Sequence, residues 1–216
     1  MVRIISIKRV LAVLLAAIVM SAGALLADVQ LPAPPSEGGM GLFEALKKRS
    51  SMPGGDFSLT ELTQAELSAV LWAASGLNRG EQGWTVPMSK GVNPYCRIYV
   101  ASAQGVWIYD WKTHSLKDVS PDNIKNRLGS QAFVRRASHI LIFVNEPSIL
   151  KSFNDPETEK EFAHVLAGAM TQNIYLAAAS LKLGARYIHE MERDNIRADL
   201  KLAADEYPIC LMLLGK

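Results

Sequence analysis

Cysteine is scarce in this sequence, which has only Cys96 and Cys210 among its 216 residues. Structural zinc sites usually take four ligands from closely spaced pairs of cysteine or histidine, and the sequence contains no second cysteine pair. We therefore predict no metal site. A disulfide between the two cysteines requires their alpha carbons to lie within about 7 Å, a distance that the sequence does not supply. A disulfide and two free thiols are both compatible with the sequence.

Long runs of lysine or arginine are also absent, and the formal net charge is only +2. Three basic residues lie within the first nine positions, so the rest of the chain is close to neutral. Nucleic-acid-binding domains usually present a basic face, so we expect no nucleic-acid partner. The sequence also lacks a glycine-rich G-x-G-x-x-G motif after a first strand, which argues against a Rossmann dinucleotide-binding fold.

The first 27 residues have the pattern of a secretory signal peptide. The basic start is followed by an apolar run over 10–20, which is too short for a typical membrane span. Small residues then permit cleavage after Ala24 or after Ala27, and an uncleaved anchor is the alternative. We therefore expect a secreted or periplasmic protein with no stable membrane insertion after cleavage.

Residues 28–40 contain three prolines and two glycines and show no apolar periodicity. Such a composition is typical of a linker, so we predict a tether. The remaining residues, 41–216, are enough for one domain with a substantial core. We expect this single domain to carry the function.

Two helices are predicted at the start of this domain. Thr63 begins a capping-box pattern, and the apolar positions behind it keep helical spacing until Gly76. A shorter helix over 41–48 is expected to bury Phe43 and Leu46. Both helices would pack an apolar face on the rest of the domain.

Strands and helices alternate in the rest of the chain. Two β-rich runs, 97–101 and 106–109, are separated by a short segment and predict an antiparallel hairpin. The apolar run over 139–144 predicts a central strand buried on both faces, and residues 155–183 predict a helix about 40 Å long. Other expected elements are a short helix starting at 120–122, strands over 185–189 and 209–214, and a helix over 194–202. This order of elements predicts an α+β layered domain.

Several short motifs, taken together and in order, resemble the nitroreductase family. They are residues 46–51, 71–79, 85–87, 105–110, 131–134 and 172–173, and the final Leu214-Gly215. The resemblance is closest to the branch named for thiazole- and oxazole-forming dehydrogenases. It implies a nitroreductase-like fold with a mainly antiparallel central sheet, flanking helices and a long central helix. It also implies a homodimer that binds FMN at the subunit interface.

The same resemblance implies an FMN-dependent oxidoreductase. The flavin N5 would transfer hydride or electrons from a small donor to a small planar acceptor of the nitroaromatic or quinone type. A non-catalytic flavin- or ligand-binding protein of the same fold is the alternative. We nominate no catalytic side chain, because the flavin itself carries the difficult chemistry.

Three groups of cofactor-binding residues are implied by the resemblance. They are a phosphate cluster (Lys48, Arg49, Ser50), a crossing segment that reaches the partner subunit's flavin (Pro87, Met88, Ser89, Asn93), and a ring stretch (Tyr187, Ile188, His189). The phosphate of FMN is a dianion, which needs cations and hydrogen-bond donors. The phosphate cluster could instead be a solvated basic helix end, and the crossing segment a plain turn. We expect His189 to line the ring through its backbone rather than to act as an acid or base.

Overall fold

The computed structural model describes residues 27–81, 83–88 and 93–216. Positions 1–26 of the predicted signal peptide and Ser89 of the crossing segment lie outside the described residues. Within the described ranges, no helix is both long and apolar enough to span a membrane.

Seven strands of the described chain form one antiparallel sheet with the order β1-β4-β3-β2-β5-β7-β6. The strands are β1 (Val29–Gln30), β2 (Cys96–Ala101), β3 (Val106–Asp110), β4 (Ser115–Ser120), β5 (His139–Asn145), β6 (Gly184–Ile188) and β7 (Pro208–Gly215). The predicted hairpin is formed by β2 and β3, with Tyr99 opposite Ile108. β5 lies between β2 and β7, and all of its residues are buried, as the apolar run predicts.

Five helices accompany the sheet in the described ranges. They are α1 (Leu42–Lys48), α2 (Gln64–Ser75), α3 (Pro147–Leu150), α4 (Pro156–Leu181) and α5 (Arg193–Asp199). The capping box before α2 is confirmed, since the Glu66 N–H donates to Thr63 Oγ1 at 3.2 Å and the Thr63 N–H donates to Glu66 Oε2 at 2.7 Å. Asp155 caps α4 by accepting from the Thr158 N–H at 2.9 Å. α4 has 26 residues and is therefore about 39 Å long.

The sheet separates two hydrophobic core clusters. On one side, Leu141 and Phe143 of β5 pack in a cluster with residues of α2 and α4. On the other side, Ile140 and Ile142 pack in a cluster with Ile196 of α5. This alternation has the two-residue period of a strand. The domain is therefore an α+β structure with helices flanking an antiparallel sheet, which confirms the predicted fold class.

One predicted helix does not form, and an additional strand, β4, precedes its expected start. Residues 120–122 do not begin an α-helix, since β4 ends at Ser120 and only a short 3-10 turn over Lys125–Arg127 follows. β4 pairs with β3 on one side and with the short β1 on the other. Its polar residues Lys117 and Asp118 interrupt any alternating apolar pattern, so the strand is defined by tertiary pairing rather than by local sequence.

α1 forms over the predicted range but does not bury the predicted side chains. Phe43 is 85% exposed and Leu46 is 46% exposed, while Ala45 is buried. α1 lies against α4, and only the small side chain of Ala45 is covered there. Two large apolar side chains therefore lie on the surface of the single chain.

Residues 28–40, the predicted tether, are held on the domain at both ends, and most of the chain between these ends is exposed. The first of them form β1 on the edge of the sheet. The Pro32 carbonyl accepts a hydrogen bond from Ser68 Oγ at 2.7 Å, which fastens the segment to α2. At its far end the Met40 N–H donates to Ser180 Oγ of α4 at 2.8 Å. Between these two ends the prolines and glycines follow an irregular, largely exposed path.

The two cysteines are buried free thiols. Cys96 is on β2 and Cys210 is on β7, with β5 between them. Neighbouring strands lie about 4.8 Å apart, so two strand spacings place the cysteines about 10 Å apart, too far for a disulfide. Burial raises the pKa of Cys210 to about 12, so this thiol is protonated at neutral pH.

Candidate functional site

The phosphate cluster lies where α1 ends. Arg49 is the C-cap residue of α1 and is half-buried, and its guanidinium carbon lies 4.9 Å from the ring centroid of Tyr175. Lys48 is exposed, and its Nζ forms a 2.7 Å ion pair with Glu44 Oε1. Ser50 is also exposed. The cluster therefore combines one cation that is already paired, one that lies over an aromatic ring, and an exposed hydroxyl.

Tyr175 of α4 connects the phosphate cluster to the ring stretch. Its hydroxyl lies 2.8 Å from Ser51 Oγ and accepts a hydrogen bond of 2.8 Å from the Tyr187 N–H. The side chain is buried, as a tyrosine can be when its hydroxyl has partners. Two of the three predicted groups, far apart in sequence, are brought together by this one side chain.

The chain that follows the phosphate cluster runs along β6. The Met52 N–H donates to the Ala185 carbonyl at 2.9 Å, and Arg186 Nη1 donates to the Met52 carbonyl at 3.1 Å. A Cβ at Gly184 would lie 2.1 Å from Met52 Sδ, so a larger residue there would have to displace the end of the Met52 side chain. These contacts hold the segment behind the phosphate cluster in register with β6.

The ring stretch lies where β6 ends. Ile188 is buried in the core cluster near α5, whereas Tyr187 is 39% exposed and His189 is exposed. The next residue, Glu190, is exposed and accepts a hydrogen bond from Gln131 Nε2 at 3.3 Å. The side chains of Tyr187 and His189 therefore reach the surface, and the Tyr187 backbone is linked to the phosphate cluster through Tyr175.

The crossing segment is held by α4 but stands apart from the ring stretch. Asn173 Nδ2 donates to the Thr85 carbonyl and to a carbonyl in the last turn of α2, both at 3.0 Å. Pro87 is exposed, and Met88 packs against the core. Asn93 is exposed just before β2, which lies three strand spacings, about 14 Å, from β6. A single chain therefore does not bring Asn93 to the ring stretch.

Three residues that organise this region were not predicted as site residues. Tyr175 and Ser51 form the hydrogen-bonded link, and Asn173 holds the chain before Pro87. A polar side chain on the inner side of a long apolar helix is a signal that identifies Tyr175 and Asn173, because buried hydroxyl and amide groups need partners. Ser51 carries no comparable signal.

The chain is similar to known proteins along most of its length. A model of the nitroreductase family matches residues 46–216. A candidate nitroreductase of Methanocaldococcus jannaschii is 30% identical over 186 residues, which cover 81% of this chain and 90% of that protein. The family match therefore includes both the phosphate cluster and the ring stretch.

Solved structures share the fold. The crystal structure of a candidate nitroreductase from Ralstonia eutropha has a TM-score of 0.82 at 32% identity, and covers 90% of this chain and 91% of that chain. A chain of the Escherichia coli microcin synthetase McbBCD complex has a TM-score of 0.67 at 15% identity, and covers 100% of this chain and 84% of that chain. The second likeness shows the fold alone. On the family match and on relatives at 30% and 32% identity, the chain belongs to the nitroreductase family.

Proposed function

We propose that this nitroreductase-family protein is an exported, homodimeric, FMN-dependent oxidoreductase. Family membership supports flavin oxidoreductase chemistry. The observation that carries the proposal is the link from Ser51 through Tyr175 to Tyr187, because it joins the two cofactor-binding groups of one subunit. FMN, when bound, supplies the hydride-transfer chemistry. The protein's own residues bind and orient it.

The phosphate cluster fits a phosphate dianion. The Arg49 guanidinium lies over the Tyr175 ring, which leaves its N–H edge for an anion, and it has no ion pair within the described part of the chain. Ser50 adds an exposed hydroxyl donor. Lys48 adds a second cation, which it shares with Glu44. Two cations and a hydroxyl at one surface position are the kind of donors that a phosphate needs.

A second subunit is proposed to complete the site. Because β2 and β6 are about 14 Å apart within one chain, Asn93 would approach a flavin at the ring stretch from the partner. Pro87 and Met88 precede β2 in the sequence, as Asn93 does, and would cross with it. Asn173 positions this segment from α4 by holding the Thr85 carbonyl.

Exposed apolar side chains support the proposed homodimer. Leu42, Phe43 and Leu46, grouped on the short helix α1, are all exposed. Large apolar residues grouped on an exposed surface are typical of protein–protein interfaces. A two-fold partner would cover them, and would place two cofactor sites at one interface.

The residues have separate tasks in the proposed reaction. The phosphate cluster anchors the cofactor, the ring stretch supports the flavin, and the partner's crossing segment closes the site and excludes water. This division assigns no proton transfer to a side chain of the protein. A site that selects substrates by stacking suits a small planar acceptor of the nitroaromatic or quinone type, after reduction by a small donor.

We also propose that the protein acts in the periplasm or as a secreted protein after removal of its signal peptide. Among the described residues, Ala27 and Asp28 lie on the domain, and Trp107 Nε1 donates to the Ala27 carbonyl at 3.4 Å. Lys117 Nζ pairs with Asp28 Oδ2 at 3.0 Å. The sequence pattern of residues 1–27 is the support for export.

Reconstitution with FMN tests the proposed cofactor. Mature protein purified in the presence of excess FMN should retain it at close to one FMN per subunit, with flavin absorbance in the visible range and quenched fluorescence. A folded protein that stays colourless and shows no titratable FMN binding would contradict the proposal.

A further inference from the structure

Tyr175 lies between the two cofactor-binding groups of one subunit, yet the family resemblance gives it no role. We propose that Tyr175 is a positioning residue that sets the spacing between the phosphate cluster and the ring stretch. This inference rests on the proposed function, because it takes both groups to hold FMN. It goes further by assigning part of the selectivity for a phosphorylated flavin to a residue outside the phosphate cluster.

The hydrogen bonds of Tyr175 define its position from two sides. The Tyr187 backbone N–H can only donate, so the Tyr175 hydroxyl accepts there at 2.8 Å and keeps its own hydrogen available for Ser51 Oγ, also at 2.8 Å. One buried hydroxyl is thus bonded both to β6 and to the residue that follows Ser50. Little freedom remains in the distance between these two segments.

The Tyr175 ring also orients the guanidinium of Arg49. The guanidinium carbon is 4.9 Å from the ring centroid, within the range of a cation–π contact. Such a contact occupies one face of the planar group and leaves its N–H edge available for two parallel hydrogen bonds to a phosphate. Tyr175 therefore contacts a phosphate-binding residue, the chain beside it and the ring stretch at once.

The surroundings of Tyr175 are closely packed. Ile174 and Ala178, its neighbours on α4, are buried in the core. Met52 is held to β6 by the hydrogen bond from its N–H to the Ala185 carbonyl at 2.9 Å. In such a close-packed setting, loss of the Tyr175 hydroxyl would change the spacing of the attached segments, because packing resists a compensating shift of α4.

A comparison of FMN with riboflavin, which lacks the phosphate, tests this role. The ratio of the Kd for riboflavin to the Kd for FMN reports how well the phosphate cluster is aligned with a bound flavin ring. Tyr175→Phe keeps the aromatic ring beside Arg49 but removes both hydrogen bonds. We expect this ratio to fall about fivefold or more, the effect of losing one or two hydrogen bonds.

Two further variants separate positioning from simple stability. Tyr109→Phe is the matched control, because Tyr109 is also buried and its hydroxyl lies 2.8 Å from His114 Nδ1. Tyr109 is on β3, which three strands (β2, β5 and β7) separate from β6. This variant should lower the melting temperature but leave the Kd ratio unchanged. Ser51→Ala leaves Tyr175 in place and should lower the ratio by about twofold to fivefold. The Ser51→Ala ratio is the deciding measurement if Tyr175→Phe does not fold.

The outcomes distinguish this inference from the proposed function. Wild-type protein that binds neither flavin would overturn both. Wild-type protein that prefers FMN, together with Tyr175→Phe and Ser51→Ala proteins whose ratios stay within twofold of wild type, would keep the proposed function and overturn the positioning role. A lowered melting temperature with an unchanged ratio also overturns it, since Tyr175 is then only structural. Ratios that fall in both variants and not in Tyr109→Phe support the inference.

Discussion

Arg49 and Lys48 are adjacent cations with different surroundings. Lys48 already pairs with Glu44, whereas Arg49 is half-buried over Tyr175. Arg49→Ala should therefore weaken FMN binding by about 1.5 to 3 kcal/mol, the scale of a hydrogen bond to a charged group. Lys48→Ala is the matched control and should weaken FMN binding less, because Lys48 is exposed, already pairs with Glu44, and has its charge screened by solvent. Fluorescence titration measures both losses, and unchanged affinity in Arg49→Ala would remove that residue from the site.

His139 makes the stability of the fold depend on pH. Burial lowers the pKa of His139 to about 4, and the charge of nearby Lys125 acts in the same direction. A partly exposed carboxylate oxygen of Glu61, 3.3 Å from Nε2, favours the charged ring but does not outweigh burial. The unfolded chain takes up the proton near pH 6.5, before the folded protein does. The contribution of His139 to the free energy of unfolding is therefore fully present above about pH 6.5 and is lost as the pH falls towards 4.

The effect of His139 protonation on the free energy of unfolding is large enough to measure. Through His139 alone, the free energy of unfolding should fall by about 1 to 2 kcal/mol between pH 6.5 and 5, since one pKa unit corresponds to about 1.4 kcal/mol. Urea unfolding of wild type and His139→Gln at both pH values isolates the effect, because most carboxylates stay ionised in this window. A wild-type pH slope no steeper than that of the variant would show that the ring is not neutral in the folded protein.

At the scale of elements, α4 holds both halves of the proposed site. Asn173 faces the end of α2 and the Thr85 carbonyl, while Tyr175 faces Ser51 and β6. Residues two apart in a helix point about 200° away from each other, so one helix supports segments on two sides. The position of α4 therefore fixes the crossing segment and the phosphate cluster together.

The Asn173 side chain gives this claim a direct test. Asn173→Ala removes the donor to two carbonyls and should lower the free energy of unfolding by about 1 to 3 kcal/mol. Its exposed neighbour provides the control, since Gln172→Ala should change it by less than about 0.5 kcal/mol. Denaturant titration measures both, and equal effects in the two variants would mean that the Asn173 hydrogen bonds add nothing.

The structural features that the sequence predicts correctly are those determined by residues close together in the chain. The capping box at Thr63 and the stop at Gly76 each act within a few residues, and both form. β4 and the two ends by which residues 28–40 are held on the domain depend on partners far along the chain, which no local pattern contains. The predicted burial of Phe43 is wrong for the same reason, because helical spacing does not specify which face of α1 packs on the domain.

The candidate site also has parts that local motifs predict and parts that depend on tertiary packing. The phosphate cluster and the ring stretch are identifiable from short motifs, and the structure brings these two groups close together. The link through Tyr175 is not predictable, because it depends on how α4 packs against β6. The separation of Asn93 from the ring stretch likewise follows from the strand order, which the sequence does not contain.

At the scale of the whole molecule, the exposed apolar residues of α1 predict a dimer that buries more than roughly 2,000 Å², the range of obligate contacts. Phe43→Glu should convert it to a monomer and release FMN, because an unpaired charge in an interface is costly. Val119→Glu places the same charge on β4 and should stay dimeric. Light scattering measures the mass of each, and a dimeric Phe43→Glu protein would exclude α1 from the interface.

Anaerobic stopped-flow reduction of the FMN-loaded dimer tests the proposed oxidoreductase most directly. NADH, NADPH and an artificial donor are mixed with the protein separately, and a quinone or nitroaromatic acceptor is then added. We predict that at least one donor bleaches the visible flavin band rapidly and that the acceptor restores it. Bound FMN that no donor reduces at a useful rate, in a folded dimer, would contradict the oxidoreductase and leave a flavin-binding protein.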